Sequence, residues 1–180
     1  FSAGSAMMCI HYYNTTTMAY DPSFSVNITS NPIDVQVADM NGDNYPDFVT
    51  IHGYSGQGLV SLTLFNGSTD VVRQDDDIPV FRWNFGQGRT SMRSLRVGDF
   101  FDRGENVIIV SDAWNDATEI TYDAATRQLN SNIQKFRNLT AESVAGDFDG
   151  DGDIDFLTAK QTESVIVVNN QSSWNQVQIL

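Results

Sequence analysis

Asp147-Phe148-Asp149-Gly150-Asp151-Gly152-Asp153-Ile154-Asp155 places five carboxylates at alternate positions of nine residues, with glycine at two of the positions between them. At neutral pH such a segment repels itself strongly unless a cation sits inside it. Hard oxygen donors spaced around a glycine-permitted turn suit Ca2+, which takes about six to eight oxygens in a flexible geometry. The chain holds a second copy, Asp39-Met40-Asn41-Gly42-Asp43-Asn44-Tyr45-Pro46-Asp47, which aligns without gaps. The flanks repeat as well: Val37-Ala38 before one loop matches Val144-Ala145 before the other, and Phe48 matches Phe156 after them.

Neither loop is an EF-hand. That loop carries a bidentate Glu at its twelfth position and lies between helices. Here the twelfth residues are Thr50 and Thr158, and the last acidic residue stands at the ninth position. The residues that follow, Asp-Phe-Val-Thr-Ile and Asp-Phe-Leu-Thr-Ala, are apolar and partly β-branched, which favours strands. The reading is strand, calcium loop, strand.

A third, degenerate copy lies between the two. Val97-Gly98-Asp99-Phe100 repeats the lead-in, and Val107-Ile108-Ile109-Val110 repeats the strand. In register, Phe101, Arg103 and Val107 replace the donors at positions three, five and nine. This loop is expected to keep the turn and to hold no ion. The copies begin at residues 39, 99 and 147, 60 and 48 residues apart, in the range of a propeller or solenoid array.

Each repeat reads as four short strands. The first offers Val35–Met40, Asp47–His52, Leu59–Phe65 and a weaker strand near Val71–Arg73 or Val80–Trp83. The second offers Ser94–Phe100, Val107–Ser111, Ala117–Tyr122 and a strand within Gln128–Phe136. The third offers Thr140–Phe148, Asp155–Ala159, Ser164–Asn169 and Trp174–Leu180. Four antiparallel strands per repeat describe a propeller blade. Before them, Met7–Tyr13 and Ser23–Thr29 read as the last two strands of a preceding blade. The chain therefore divides into 1–30, 31–85, 86–135 and 136–180: an all-β array of about three and a half blades. Helical periodicity is hard to find, and 19 of the 23 acids are Asp, which favours turns and ligands.

Val-Ala-Asp-x-Asn-Gly-Asp-x-x-x-Asp-Phe and Val-Ala-Gly-Asp-Phe-Asp-Gly-Asp-Gly-x-x-Asp-Phe-Leu resemble the FG-GAP/VCBS repeat, the repeat of the integrin α-subunit propeller and of many secreted or cell-surface proteins. The resemblance extends to the following strand, Leu59–Gly67 and Val165–Asn170. It implies a β-propeller with Ca2+ in some loops. Carried over by position, it implies two sites: one from Asp39, Asn41, Asp43, the Tyr45 carbonyl and Asp47, the other from Asp147, Asp149, Asp151, the Asp153 carbonyl and Asp155.

The net charge of −13 and pI near 4.2 argue against nucleic acid or anionic membranes as partners. No apolar run approaches transmembrane length. No signal peptide is visible at the N-terminus, which fits either its removal or an internal segment. Five sequons, at Asn14, Asn27, Asn66, Asn138 and Asn170, together with calcium loops, favour a secreted or cell-surface glycoprotein. A bacterial extracellular protein with chance sequons is the alternative. Cys9, the single cysteine, lies in an apolar run and reads as a small buried hydrophobe, with an interchain disulfide as the sharper reading.

Catalytic signals are poor. Only His11 and His52 are histidines, and no nucleophile elbow, P-loop or zinc-protease motif occurs. Asp75-Asp76-Asp77 reads as a solvated turn. Trp83, Trp114 and Trp174 read as packing rather than as sugar platforms. The expectation is a non-catalytic, calcium-stabilised adhesion or structural module. The alternative is a carbohydrate-binding or polysaccharide-degrading secreted protein. Three and a half blades cannot close a ring alone, so the remainder of a longer chain or another chain is expected to complete the ring or to build a filament.

Overall fold

The computed structural model describes residues 6–11, 13–28, 32–54, 57–65, 92–112, 116–137, 139–140, 143–159, 164–170 and 173–179. Among these every regular element is a strand, and all pairings are antiparallel. The alternating and continuously apolar segments therefore do what their periods demand.

Three sheets follow the three repeats. The first is β5 (Pro32–Ala38), β6 (Asp47–Tyr54) and β7 (Gln57–Thr63), in that order. The middle sheet is β8 (Met92–Gly98), β9 (Val107–Asp112), β10 (Asp116–Asp123) and β11 (Gln128–Arg137). The last is β12 (Val144–Gly146), β13 (Asp155–Ala159), β14 (Ser164–Asn169) and β15 (Trp174–Ile179). Each is a simple meander. β11 continues past residue 135, where the sequence reading divided two repeats. The fourth strand expected near 71–73 or 80–83 lies outside the described residues, as do Trp83, Trp114 and Asp75–Asp77.

Register repeats with the sequence. The residue before each loop pairs with the loop's ninth residue: Ala38 with Asp47, Gly98 with Val107, and Gly146 with Asp155. The ladder also shifts at matching points, between Pro32 and Asp34 in β5 and between Met92 and Ser94 in β8. A bulge re-aims a strand, so its recurrence 60 residues on marks the same backbone unit.

At the N-terminus β1 (Ala6–Ile10) pairs with β4 (Phe24–Ile28), as expected of Met7–Tyr13 and Ser23–Thr29. Between them a small hairpin, β2 (Tyr13–Asn14) and β3 (Ala19–Tyr20), was not foreseen. The Asn14 carboxamide oxygen accepts from the amides of Thr16 and Thr17 and forms its turn. Cys9 corrects the sequence reading. It is exposed, with its sulfur 3.5 Å from the Ser25 hydroxyl. Strand alternation turns Met8 and Ile10 inward, so Met7 and Cys9 face out despite the apolar run.

Two cores lie between the sheets. Val49, Ile51, Val60 and Leu62 of the first sheet meet Leu95, Ile108, Val110, Ile120 and Leu129 of the middle one. Phe101, Val107, Ile109 and Ala117 on the other side meet Phe156, Val165 and Val167 of the last sheet. The run Val107-Ile108-Ile109-Val110 is fully apolar because β9 is covered on both faces. Trp174 packs into the second core, with its ring 5.5 Å from Phe156 and 5.7 Å from Phe101. This is the packing role expected of it.

Candidate metal centre

A loop that returns on itself within nine residues needs left-handed backbone at fixed points. In all three loops these are positions four and six: Gly42 and Asn44, Asp102 and Gly104, Gly150 and Gly152 have φ of 78°, 66°, 49°, 72°, 83° and 94° respectively. Glycine enters this region without strain and Asn and Asp at modest cost. That explains the Gly, Asn and Asp at these points and the glycine pair of the last loop.

The aspartate at position one closes each turn by accepting loop amides. Asp147 accepts from Gly150 (2.7 Å) and Gly152 (3.2 Å). Asp39 accepts from Gly42 (2.7 Å), Asp43 (3.2 Å) and Asn44 (2.7 Å). Asp99 accepts from Arg103 (2.9 Å) and Gly104 (2.6 Å). The middle loop thus keeps the turn, as expected. Positions three and five support the next residues but one. Asn41 and Asp149 accept from the amides of Asp43 and Asp151, and Asp43 and Asp151 from those of Tyr45 and Asp153, all at 2.9–3.2 Å.

The two acidic loops then diverge. In the last one Asp147, Asp149 and Asp151 each bring a carboxylate oxygen within 4.8 Å of the others, all three side chains being exposed. In the first, Asn41 stands at position three, and its Nδ2 donates to Asp43 at 3.0 Å. A neutral amide there relieves the repulsion that the last loop leaves uncompensated.

The ninth residues do something the spacing did not reveal. Asp47 is fully buried and accepts from the amides of Met40 and Phe65, both at 2.8 Å. Asp155, equally buried, accepts from Phe148 and Asn169, again at 2.8 Å. Each clamps its loop to the end of the third strand, whatever else it ligates. Asp153 is buried and lies outside the exposed cluster, whereas Tyr45 at the same position is exposed.

The electrostatics follow this division. Burial drives the Asp47 carboxyl up to about 6, against its two amide bonds, and the charges of Asp43 and Asp39 push the same way. At Asp149, desolvation within the loop first, then the neighbouring charges of Asp151 and Asp155, raise the pKa against the Asp151 amide. At Asp39 desolvation also acts upward, but the amides of Asn44, Gly42, Asp43 and Asn41 outweigh it and the net shift is downward.

In the middle loop the substituted positions belong to the core. Phe101 and Val107 are each 4 % exposed, and the Arg103 guanidinium lies 4.4 Å from the Phe101 ring centre. Side chains that sequence reasoning missed tie the loops to neighbouring sheets. Asn106 Nδ2 donates to the Asp39 carbonyl at 2.8 Å, joining the first loop to the middle one. Asn169 Nδ2 donates to the Phe100 carbonyl at 2.6 Å, which also accepts from the Ile154 amide at 3.2 Å. Arg96 reaches the Ser143 carbonyl at 2.9 Å. No sequence signal marks these contacts, since the partners of Asn106, Asn169 and Arg96 stand 67, 69 and 47 residues away.

Of the histidines, His52 is buried with Nε2 2.8 Å from the Thr50 hydroxyl, and His11 packs edge-on to Tyr20. Of the sequons, Asn170 is exposed in the turn between β14 and β15, Asn14 is half-buried and bonded to Asp21, and Asn27 lies in β4. Asn66 and Asn138 fall outside the described residues. Compared with known families, curated proteins and solved structures, the chain matches none.

Proposed function

We propose that the chain is a calcium-stabilised, non-catalytic interaction or structural module built from FG-GAP/VCBS-type propeller blades, acting outside the cell. The observation that carries this reading is the convergence of Asp147, Asp149 and Asp151, each with an oxygen within 4.8 Å of the others. Three exposed carboxylates at this spacing are hard donors and fit Ca2+. The first loop repeats the backbone and offers Asp39, Asn41 and Asp43, with one carboxylate fewer, so we assign it the weaker of two sites. The ninth residues, Asp47 and Asp155, and the carbonyls of Tyr45 and Asp153 complete the two sets by position.

A bound ion supplies positive charge at the point where the carboxylates repel one another. The chain's own residues turn that local effect into rigidity between sheets. Asp155 holds Asn169, and Asn169 holds the middle loop through the Phe100 carbonyl. Ordering one loop therefore stiffens the junction between two sheets. Binding to the native state alone raises stability by about 2.7 kcal/mol when free calcium is at a hundredfold excess over Kd. Chelation should lower the melting temperature, and Asp151→Ala should remove most of that response. An unchanged melting curve in excess chelator would sink the proposal.

Extracellular placement rests on the calcium loops and on the sequons. Asn170, in an exposed turn, is the sequon best placed for a glycan. Peptide mapping of native material that finds it bare would remove that support. Trp174, half-buried and packed against the second core, supports the packing reading over a sugar platform.

A further inference from the structure

At positions one, three and five the two acidic loops differ by a single group. Position three is Asn41 in the first loop and Asp149 in the last, and Asn41 is followed by Gly42. An asparagine carboxamide carbon and the next main-chain nitrogen can close a small cyclic imide. A side chain on the following residue obstructs that closure, and glycine has none. Asn41 is half-buried and Gly42 exposed, and a Cβ placed on Gly42 would meet nothing within 4 Å. Neighbouring segments therefore leave room for the ring.

The folded loop also holds each reacting group. The nucleophile, the Gly42 amide, donates to the Asp39 carboxylate at 2.7 Å. A carboxylate there can take up the amide proton as the nitrogen attacks. The electrophile is the Asn41 carboxamide carbon. Its oxygen accepts from the Asp43 amide at 3.0 Å, a donor placed where negative charge develops in the tetrahedral intermediate. The leaving nitrogen, Nδ2, donates to the Asp43 carboxylate, also at 3.0 Å. Base, oxyanion donor and leaving-group holder converge on one residue pair. The last loop keeps the same supports, with Asp147 accepting from Gly150 at 2.7 Å and Asp149 from the Asp151 amide at 3.2 Å, but its third residue is already the acid.

We propose that Asn41 is a self-modifying position, whose deamidation the folded loop promotes. The Gly42 nitrogen bonds to Asn41 Cγ and gives its proton to Asp39. Asp39 returns the proton to Nδ2, the Cγ–Nδ2 bond breaks, and ammonia leaves behind the cyclic imide. Water then opens the ring. Cleavage between Cγ and the nitrogen yields aspartate on an unchanged main chain, and cleavage at the main-chain carbonyl yields isoaspartate. The balance is amide plus water to carboxylic acid plus ammonia, with nothing oxidised or reduced. The aspartate product gives the first loop the same carboxylates at positions one, three and five as the last, so the weaker of the two assigned cation sites gains the group it lacks. That consequence rests on the cation reading above; the ring chemistry does not.

Peptide mapping by mass spectrometry of the 180-residue chain, incubated in chelator at neutral pH, is the test. It follows loss of the Asn41 amide with time. The same chain in denaturant gives the rate of the unsupported Asn-Gly pair. The native rate should exceed that one on the order of tenfold, short of the about 10²–10⁴-fold of a well-matched base, because a carboxylate is a weak one. Asp39→Asn keeps an acceptor for the Gly42 amide but removes the base, so the native rate should fall toward the denatured value while strand circular dichroism is retained. If that variant loses its strand signal, Asp43→Asn, which removes the carboxylate holding Nδ2, replaces it and should also slow the reaction. A native rate no faster than the denatured one, or a rate that the variant leaves unchanged, would overturn the proposal. Calcium titration of wild type and Asn41→Asp is read separately. Calcium binding by a chain whose Asn41 stays intact defeats this proposal alone, whereas deamidation in a chain that binds no calcium defeats the cation reading alone.

Discussion

In the loop of the last sheet, position three is Asp149, exposed and facing Asp147 and Asp151; in the middle loop it is Phe101, 4 % exposed and packed on Trp174. Position five is Asp151 in one and Arg103 in the other, and position nine is Asp155 against Val107. Yet both loops turn left-handed at positions four and six, and in both the first aspartate accepts the amide of position six and one amide just before it. The turn is therefore specified by the aspartate at position one and by residues tolerant of positive φ. Carboxylates at positions three and five are additions with another purpose. Where they are absent, the same backbone aims those side chains at the core or over an aromatic ring.

The largest expected difference lies at position three. Phe101→Ala should cost about 3–5 kcal/mol, as removal of a buried aromatic does. Asp149→Ala, in chelator, should fall within about 0.5 kcal/mol of wild type. Denaturant midpoints measure both, and a large loss for Asp149→Ala without calcium would mean that its carboxylate supports the fold rather than an ion.

Position nine is the next most sensitive. Asp155→Asn keeps one acceptor but turns an amide donor toward a buried main-chain N–H, at a cost of about 1–3 kcal/mol whether or not calcium is present. Asp47→Asn should behave alike. A loss confined to calcium-containing buffer would show that these carboxylates act through the ion alone and do not clamp the loops.

Positions four and six sharpen the resemblance between the loops. Gly152→Ala and Gly104→Ala meet no neighbour within 4 Å of the added carbon, so each should cost only the left-handed strain of an alanine, about 1–2 kcal/mol. Equal losses by chemical denaturation are expected. A penalty at Gly152 alone would mean that the middle loop does not share the turn.

The smallest effect is a pH dependence of the calcium-free protein. The folded Asp47 carboxyl titrates at about 6, above the ordinary carboxylate range, so the folded state holds this proton more tightly than the unfolded chain does. Its contribution is complete below about pH 4, declines as pH rises toward 6 and is gone above that. Asp47→Asn should flatten that slope in chelator, and an unaltered slope would assign the dependence to other groups.

The strands and loops were legible because local pattern carries them: Asp155–Ala159 and Ser164–Asn169 begin and end where their apolar, β-branched runs do. Gaps between matching motifs marked the repeats, and the degenerate loop declared itself through Phe101 and Val107. The clamp made by Asp47 and Asp155 was hidden, because a carboxylate at a ligand position looks the same whether it faces an ion or two amides. Asn106, Asn169 and Arg96 were hidden because their partners lie in other repeats. Cys9 misled because an apolar run in a two-stranded sheet still has an outward side. The hairpin at Tyr13–Tyr20 was missed because two-residue strands carry no period to read.

Calcium titration of the chelator-stripped protein, with stoichiometry read by calorimetry, compares the three loops most directly. Two ions should bind the wild type, one should bind Asp151→Ala, and Asp99→Ala should leave the count at two. No binding to the wild type, or binding that survives Asp151→Ala unchanged, would contradict the assignment of the last loop as the principal cation site.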